Sequence, residues 1–123
     1  MARHNDFGKW GEEVAAEYLV RHGFELLARN WRHQEKEVDI IAQKDGGLYF
    51  VEVKTRHGEG WRGEDAITSK KCVFMQRAMM AWKLQHPSPM PVFYPAIIIV
   101  VRSPLEPPEI RWYDNIWDMR LLD

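Results

Sequence analysis

The 123-residue sequence contains one cysteine, Cys72. A lone thiol excludes an intrachain disulfide and a multi-cysteine zinc site. Long hydrophobic runs are also missing. The longest, Ala96 to Val101, is far too short to span a bilayer. Met1-Ala2-Arg3-His4-Asn5-Asp6 carries none of the apolar stretch of a signal peptide. We therefore expect a cytoplasmic protein with no membrane segment. Net charge is nearly absent at −1, whereas a dedicated nucleic-acid coat protein is usually basic. Paired metal spacing is absent among His4, His22, His33, His57 and His86, which read as surface residues.

What remains is ordinary globular composition, 46% hydrophobic and 28% charged, enough to bury a core. The length suits one domain over residues 1–123. Its charge is uneven. Lys54 to Arg77 holds six Lys/Arg against three acids, while Pro104 to Asp123 holds two against five. A local basic face and a scatter of solvated charges both fit this pattern.

The periodicity of Trp10, Val14, Ala15, Tyr18 and Leu19 predicts a helix from about Phe7 to His22. Asn5 or Asp6 would cap it, and Gly23 would close it in the left-handed conformation. A strand is expected from Phe24 to about Trp31. Two more, Glu37 to Lys44 and Leu48 to Thr55, flank Asp45-Gly46, a strong hairpin signal. Arg56 to Asp65, with three glycines, reads as a flexible loop.

A second helix is expected from Ser69 to Gln85, capped by Thr68 or Ser69 and stopped by Pro87. Phe74, Ala78, Ala81 and Trp82 mark its inner face, with Met75, Met79 and Met80 as further packing. The Ile- and Val-rich run Ala96 to Val101 should be a central strand covered on both faces. Glu109 to Tyr113 reads as an edge strand, and Asn115 to Asp123 as a short helix. The fold class is thus α/β, a mixed sheet flanked by helices.

A two-residue turn at Asp45-Gly46 pairs Lys44 with Gly47. Asp39 then falls opposite Glu52, and Glu37 opposite Lys54. Alternation puts these four on one face and Val38, Ile40, Val51 and Val53 on the other. Facing carboxylates about 5 Å apart repel by roughly 3 kcal/mol at an effective dielectric near 20. Lys54 and a bound Mg²⁺ or Mn²⁺ would offset that repulsion. Asp39 and Glu52 would hold the ion, with the Val53 carbonyl as a third ligand. Lys54 would stabilise charge or orient a water. A solvent-exposed hairpin with alternating charges is the other reading. A one-residue slip would dissolve the cluster unless a bulge restored it.

Glu37-Val38-Asp39-Ile40-Ile41 followed by Phe50-Val51-Glu52-Val53-Lys54-Thr55-Arg56 resembles the core of the restriction-endonuclease-like, or PD-(D/E)XK, nucleases. More closely, the chain resembles the YraN-like family of small bacterial proteins. Gly11-Glu12 with Ala15 and Leu19, then Asn30, Arg32, Lys70 and Ala78, match that pattern. The chain is similar at longer range to archaeal Holliday-junction resolvases. The resemblance covers about residues 7–85, weakens after Pro91 and leaves a divergent segment from about residue 104. Lys36 stands where the family usually has glycine.

The resemblance implies an αβββαβ core, Mg²⁺ dependence and a nucleic-acid substrate, for which DNA is the expected partner. It also implies an acid on the first helix that joins the metal, matched here by Glu12. Helical geometry agrees, placing Glu12 about 20° from Leu19 on the edge of the apolar stripe. Glu37 would tune the site.

Arg56, Trp61, Arg62, Lys70 and Lys71 are the candidate nucleic-acid contacts. Trp61 would either stack on an unpaired base or close its loop. Lys70 and Lys71 would meet phosphates or stay solvated. The leading expectation is a metal-dependent endonuclease for branched or structured DNA. A homodimer fits it, because duplex cleavage needs two sites. The rivals are a non-cleaving nucleic-acid-binding module and a protein-interaction subunit docked through Trp112, Trp117 and Leu121.

Overall fold

The computed structural model describes residues 2–58 and 69–114, with side chains over 6–58 and 70–114. Helix α1 (Ala2–Arg21) leads into strands β1 (Glu25–His33), β2 (Lys36–Lys44) and β3 (Gly47–His57). Helix α2 (Ser69–Gln85), β4 (Val92–Phe93), β5 (Ala96–Val101) and β6 (Glu109–Tyr113) follow. The expected αβββαβ order is present, followed by the expected edge strand β6, and β4 is the added element. Among the described residues no helix is long and apolar enough to cross a membrane.

Helix α1 begins earlier than expected, so Asn5 and Asp6 lie inside it and not at its cap. No proline breaks the chain there, and the helix runs on through both residues. Its end matches expectation. Gly23 has φ +86°. The Phe24 N–H donates to the Leu19 carbonyl at 2.9 Å, and the Gly23 N–H to the Val20 carbonyl at 3.1 Å. This paired closure satisfies carbonyls that the last helical turn would otherwise leave open.

The β2–β3 hairpin keeps the expected register, with Ile41 on Phe50 and Lys44 on Gly47. Asp45 at φ +50° and Gly46 at φ +79° form the turn. Two positive φ values give the type I′ geometry that suits strand twist. Strand β1 pairs antiparallel with β2, and β6 with β5 at the other edge. β3 and β5 run parallel, joined by the long connection that includes α2. Short β4 lies on β3 in the same register as β5. The two are separated at Tyr94-Pro95, where proline has no N–H to donate. The Pro95 carbonyl still accepts from the Glu52 N–H at 3.0 Å.

Each sheet face is covered by one helix. Ala15, Ala16 and Leu19 of α1 pack with Ile40, Val51, Val53, Ile97 and Ile99. Met75, Ala78 and Trp82 of α2 pack with Ile41, Leu48, Phe50, Ile98 and Val100. Each such large aliphatic side chain, once buried, contributes about 1.5–3 kcal/mol. β5 is therefore the doubly covered central strand that its composition implied.

Three packing expectations need correction. Trp10 is 40% exposed and lies off the buried stripe. Met80 is 58% exposed, whereas Met75 is fully buried. Val38 packs on the α2 face with Ile41, not with Ile40. Strict alternation fails because Asn30, in the neighbouring strand, is left-handed at φ +50°. Ala28 and Trp31, on either side of it, also share the α2 face although three positions apart. The anticipated loop also begins later, since Arg56 and His57 belong to β3. The expected terminal helix at 115–123 lies outside the described residues.

Candidate metal and nucleic-acid site

The β2–β3 ladder ends where Ile40 pairs with Val51. One residue further, Asp39 and Glu52 form no ladder pair. The Asp39 carboxylate accepts the Val53 N–H through Oδ2 at 2.8 Å. A side chain thus takes a β3 donor just past the last rung. The expected placement of Glu37 against Lys54 does not form. Glu37 is exposed and accepts from Arg32 at 3.2 Å across the β1–β2 pair. The hairpin strands have already parted at that point.

Glu52 is the buried charged side chain of the described core, 4% exposed. Its Oε2 meets Lys54 Nζ at 3.2 Å and Lys71 Nζ at 2.9 Å. Lys54 comes from its own strand, two residues on. Lys71 comes from the first turns of α2. Lys71, expected to meet phosphate or stay solvated, instead lies beside Glu52. A signal existed: the β3 face carrying Glu52 also carries Leu48 and Phe50, so an apolar helix had to cover it.

Asp39 has no ammonium within ion-pair distance among the described residues. Burial, then the Glu52 charge and the Glu12 charge, push its carboxyl up to about 7. The Val53 N–H and Lys71 act the other way. Part of Asp39 still faces solvent, but the carboxylate lies deep enough for desolvation to lead.

Glu12 approaches from α1, half-buried as its edge position suggested. Its Oε1 accepts from Asn30 Nδ2 at 3.1 Å. Close approach of α1 to β3 is set at Gly11. A Cβ there would lie against the Thr55 hydroxyl and 3.0 Å from its methyl. An open groove of about 500 Å³ adjoins, lined by Lys9, Glu12, Glu13, Arg29, Asn30 and Glu37.

Among the described residues no group of three or more His, Cys, Asp or Glu side chains is gathered as a metal cage. The oxygens present are two carboxylates, Asp39 and Glu52, with Glu12 acting on Asp39 by charge. Mg²⁺ is commonly bound by one or two carboxylates, with water and phosphate completing the octahedron. The hard-oxygen donors and the burdened Asp39 carboxylate fit that kind of ion.

Of the nucleic-acid candidates, Arg56 donates to the Thr55 carbonyl at 2.9 Å along its own strand. Lys70 is exposed at the start of α2. Trp61 and Arg62 lie outside the described residues, as do Trp117 and Leu121.

Residues 11–101 match the uncharacterised protein family UPF0102. A UPF0102 protein of Phocaeicola vulgatus is 38% identical over 121 residues, 95% of this chain and 100% of its own. One from Parafrankia sp. is 44% identical over 92 residues, 74% of each chain. Another, from Clavibacter michiganensis, is 39% identical over 88 residues, 71% of this chain and 75% of its own.

Proposed function

The chain belongs to the UPF0102 family. From the Asp39 cluster and the resemblance of its hairpin motif to the PD-(D/E)XK nucleases, we propose a divalent-metal-dependent endonuclease. Its substrate would be a phosphodiester in branched or structured DNA, met in the cytoplasm. One observation carries the reading. The Asp39 carboxyl, at the break between β2 and β3, is raised to about 7 by burial and two neighbouring acids. Such a group gains most from a cation at neutral pH.

Asp39 and Glu52 hold Mg²⁺ or Mn²⁺, with the Val53 carbonyl as third ligand. When bound, the metal polarises the phosphate and acidifies an attacking water. Lys54 lies on the same face and stabilises developing charge or orients that water. Lys71 pairs with Glu52 from the α2 side. Glu12, fixed by Asn30, adds negative charge from α1. Glu37 acts only at the rim, where Arg32 holds it. A homodimer would supply the two sites that duplex cleavage needs.

Calorimetry with Mn²⁺ tests the metal site, on wild type and on Asp39→Ala/Glu52→Ala. Binding in wild type that vanishes in the folded double variant supports it. Cleavage is then screened on flapped, branched and single-stranded DNA. No binding with folded wild type, and no cleavage of any substrate, rejects the nuclease reading.

A specific observation favours a second reading, a nucleic-acid-binding module that does not cleave. Two ammonium groups already neutralise Glu52 through one oxygen. Salt-dependent DNA binding without Mn²⁺ uptake would select it.

A further inference from the structure

Beside the carboxylate cluster, the tip of the β1–β2 hairpin overhangs the N-terminal half of α2. The space beneath is an open groove of about 380 Å³. Lys36 enters from the hairpin side, and Lys70 and Arg77 from the helix. Val73 and Phe74 supply its apolar floor, and Val73 is 47% exposed. Glu35 is the one acid lining it among the described residues. Among the described residues Lys36, Lys70 and Arg77 have no carboxylate partner. The Lys36 ammonium lies 5.9 Å from the Phe74 ring centroid.

A second groove, of about 460 Å³, shares Glu35, Lys36 and Phe74 with the first and adds Lys71 and the paired Arg32 and Glu37. Lys71 touches Glu52. Through Lys36 and Phe74 the two grooves connect Lys71, beside the carboxylate cluster, with Arg77. Along α2, Lys71 to Arg77 spans about 9 Å. That length suits one or two nucleotides.

An aromatic ring edged by unpaired cations is the chemistry of a single-strand platform. The ring takes a base face, and the cations take backbone phosphates. A continuous duplex offers no free base face to such a ring. We propose that this groove binds an unpaired nucleotide flanking the phosphate held at Asp39 and Glu52, making the substrate class a strand with a single-stranded arm. The inference rests on the proposed nuclease site for its direction, but the binding it describes needs no metal.

The test measures fluorescence anisotropy of a labelled oligothymidylate, and of a duplex of equal length, with chelator present. Phe74→Leu keeps an apolar side chain and removes the ring face. It should weaken single-strand binding about tenfold and leave duplex binding within about twofold. Lys70→Gln/Arg77→Gln, at exposed positions, should weaken single-strand binding and reduce the salt slope by about 1.4. Wild type that prefers the duplex overturns the proposal. So does a folded Lys70→Gln/Arg77→Gln protein with unchanged single-strand affinity and salt slope, even if Phe74→Leu fails to fold.

Failure of the two readings is separable. Single-strand binding through the groove without Mn²⁺ uptake or cleavage rejects the nuclease and keeps the groove. Mn²⁺-dependent cleavage untouched by the groove variants rejects the groove alone.

Discussion

Asp39→Asn should make the metal-free protein more stable, and the gain should grow as pH rises. Burial first, then the Glu52 and Glu12 charges, push the native carboxyl up to about 7 from an ordinary value of 3.8. Below about pH 4 both folded and unfolded states hold the proton, and the group has no effect. Between about pH 4 and about pH 7 the unfolded chain releases it while the native state keeps it. Stability then falls by about 1.4 kcal/mol per pH unit. Above the folded value the loss is complete, at about 4 kcal/mol. From about pH 5 to about pH 8 the loss due to Asp39 is 2 to 3 kcal/mol.

Asparagine cannot ionise, yet its side-chain oxygen can still accept the Val53 N–H. The assay is urea unfolding by circular dichroism at those two pH values, for both proteins, with chelator. For an m-value of about 1.5 kcal/mol/M, the gap between midpoints should widen by about 1.5 M. Other titrating groups are common to both proteins and drop out of the gap. A gap that stays constant, or narrows with pH, would show that the carboxylate bears no ionisation penalty. The electrostatic case for a cation at Asp39 would then fall.

Two neighbours of Asp39 should move its titration in opposite directions. Glu12→Gln removes a charge that raises it, and Lys71→Met removes one that lowers it. Carbon-13 NMR of the Asp39 carboxyl should therefore show a lower value in the first variant and a higher one in the second. Gly11→Ala should lower Tm by several degrees although alanine is the better helix former by about 1 kcal/mol. The new methyl would meet Thr55 and lift α1 from β3, an overpacking loss of about 1–3 kcal/mol. Thermal melts of Gly11→Ala with and without Thr55→Ala check this, since trimming Thr55 should recover part of the loss.

The features legible in the sequence were those set by local chemistry. Asp45-Gly46 specified its turn because few residue pairs accept two positive φ values. The bounds of α2 were readable from Ser69 and from Pro87, which cannot continue a helix. The isoleucines and valines of β5 announced burial on both faces. Short β4 was not readable. Two residues carry no period, and Val92–Phe93 is a strand only because β3 lies alongside. The Lys71–Glu52 contact was likewise hidden, since it depends on where α2 lands. The nearness of Asp39, Glu52 and Lys54 was readable because residue type and hairpin register are local, and Glu12 entered only through the family resemblance, while the position of Glu37 depended on strands that separate.

That separation also explains why the cluster lies where it does. A carboxylate on a continuous ladder would project from its pleat, with its neighbours' backbone groups already paired. Here Asn30, left-handed in β1, occupies the position that register sets beside Asp39, and both strands change face across this point. Asparagine tolerates that conformation better than most residues. Its side chain simultaneously holds Glu12. The irregularity therefore turns Val38 into the α2 core and leaves the Val53 N–H for Asp39. It also brings an acid from α1 toward one from the sheet. Regular pairing would favour stability and disperse these charges. The fold instead concentrates them at one break, next to two lysines and a cationic groove. The proposed cation and phosphate site would use that concentration, and the metal-free protein bears its destabilising effect at Asp39.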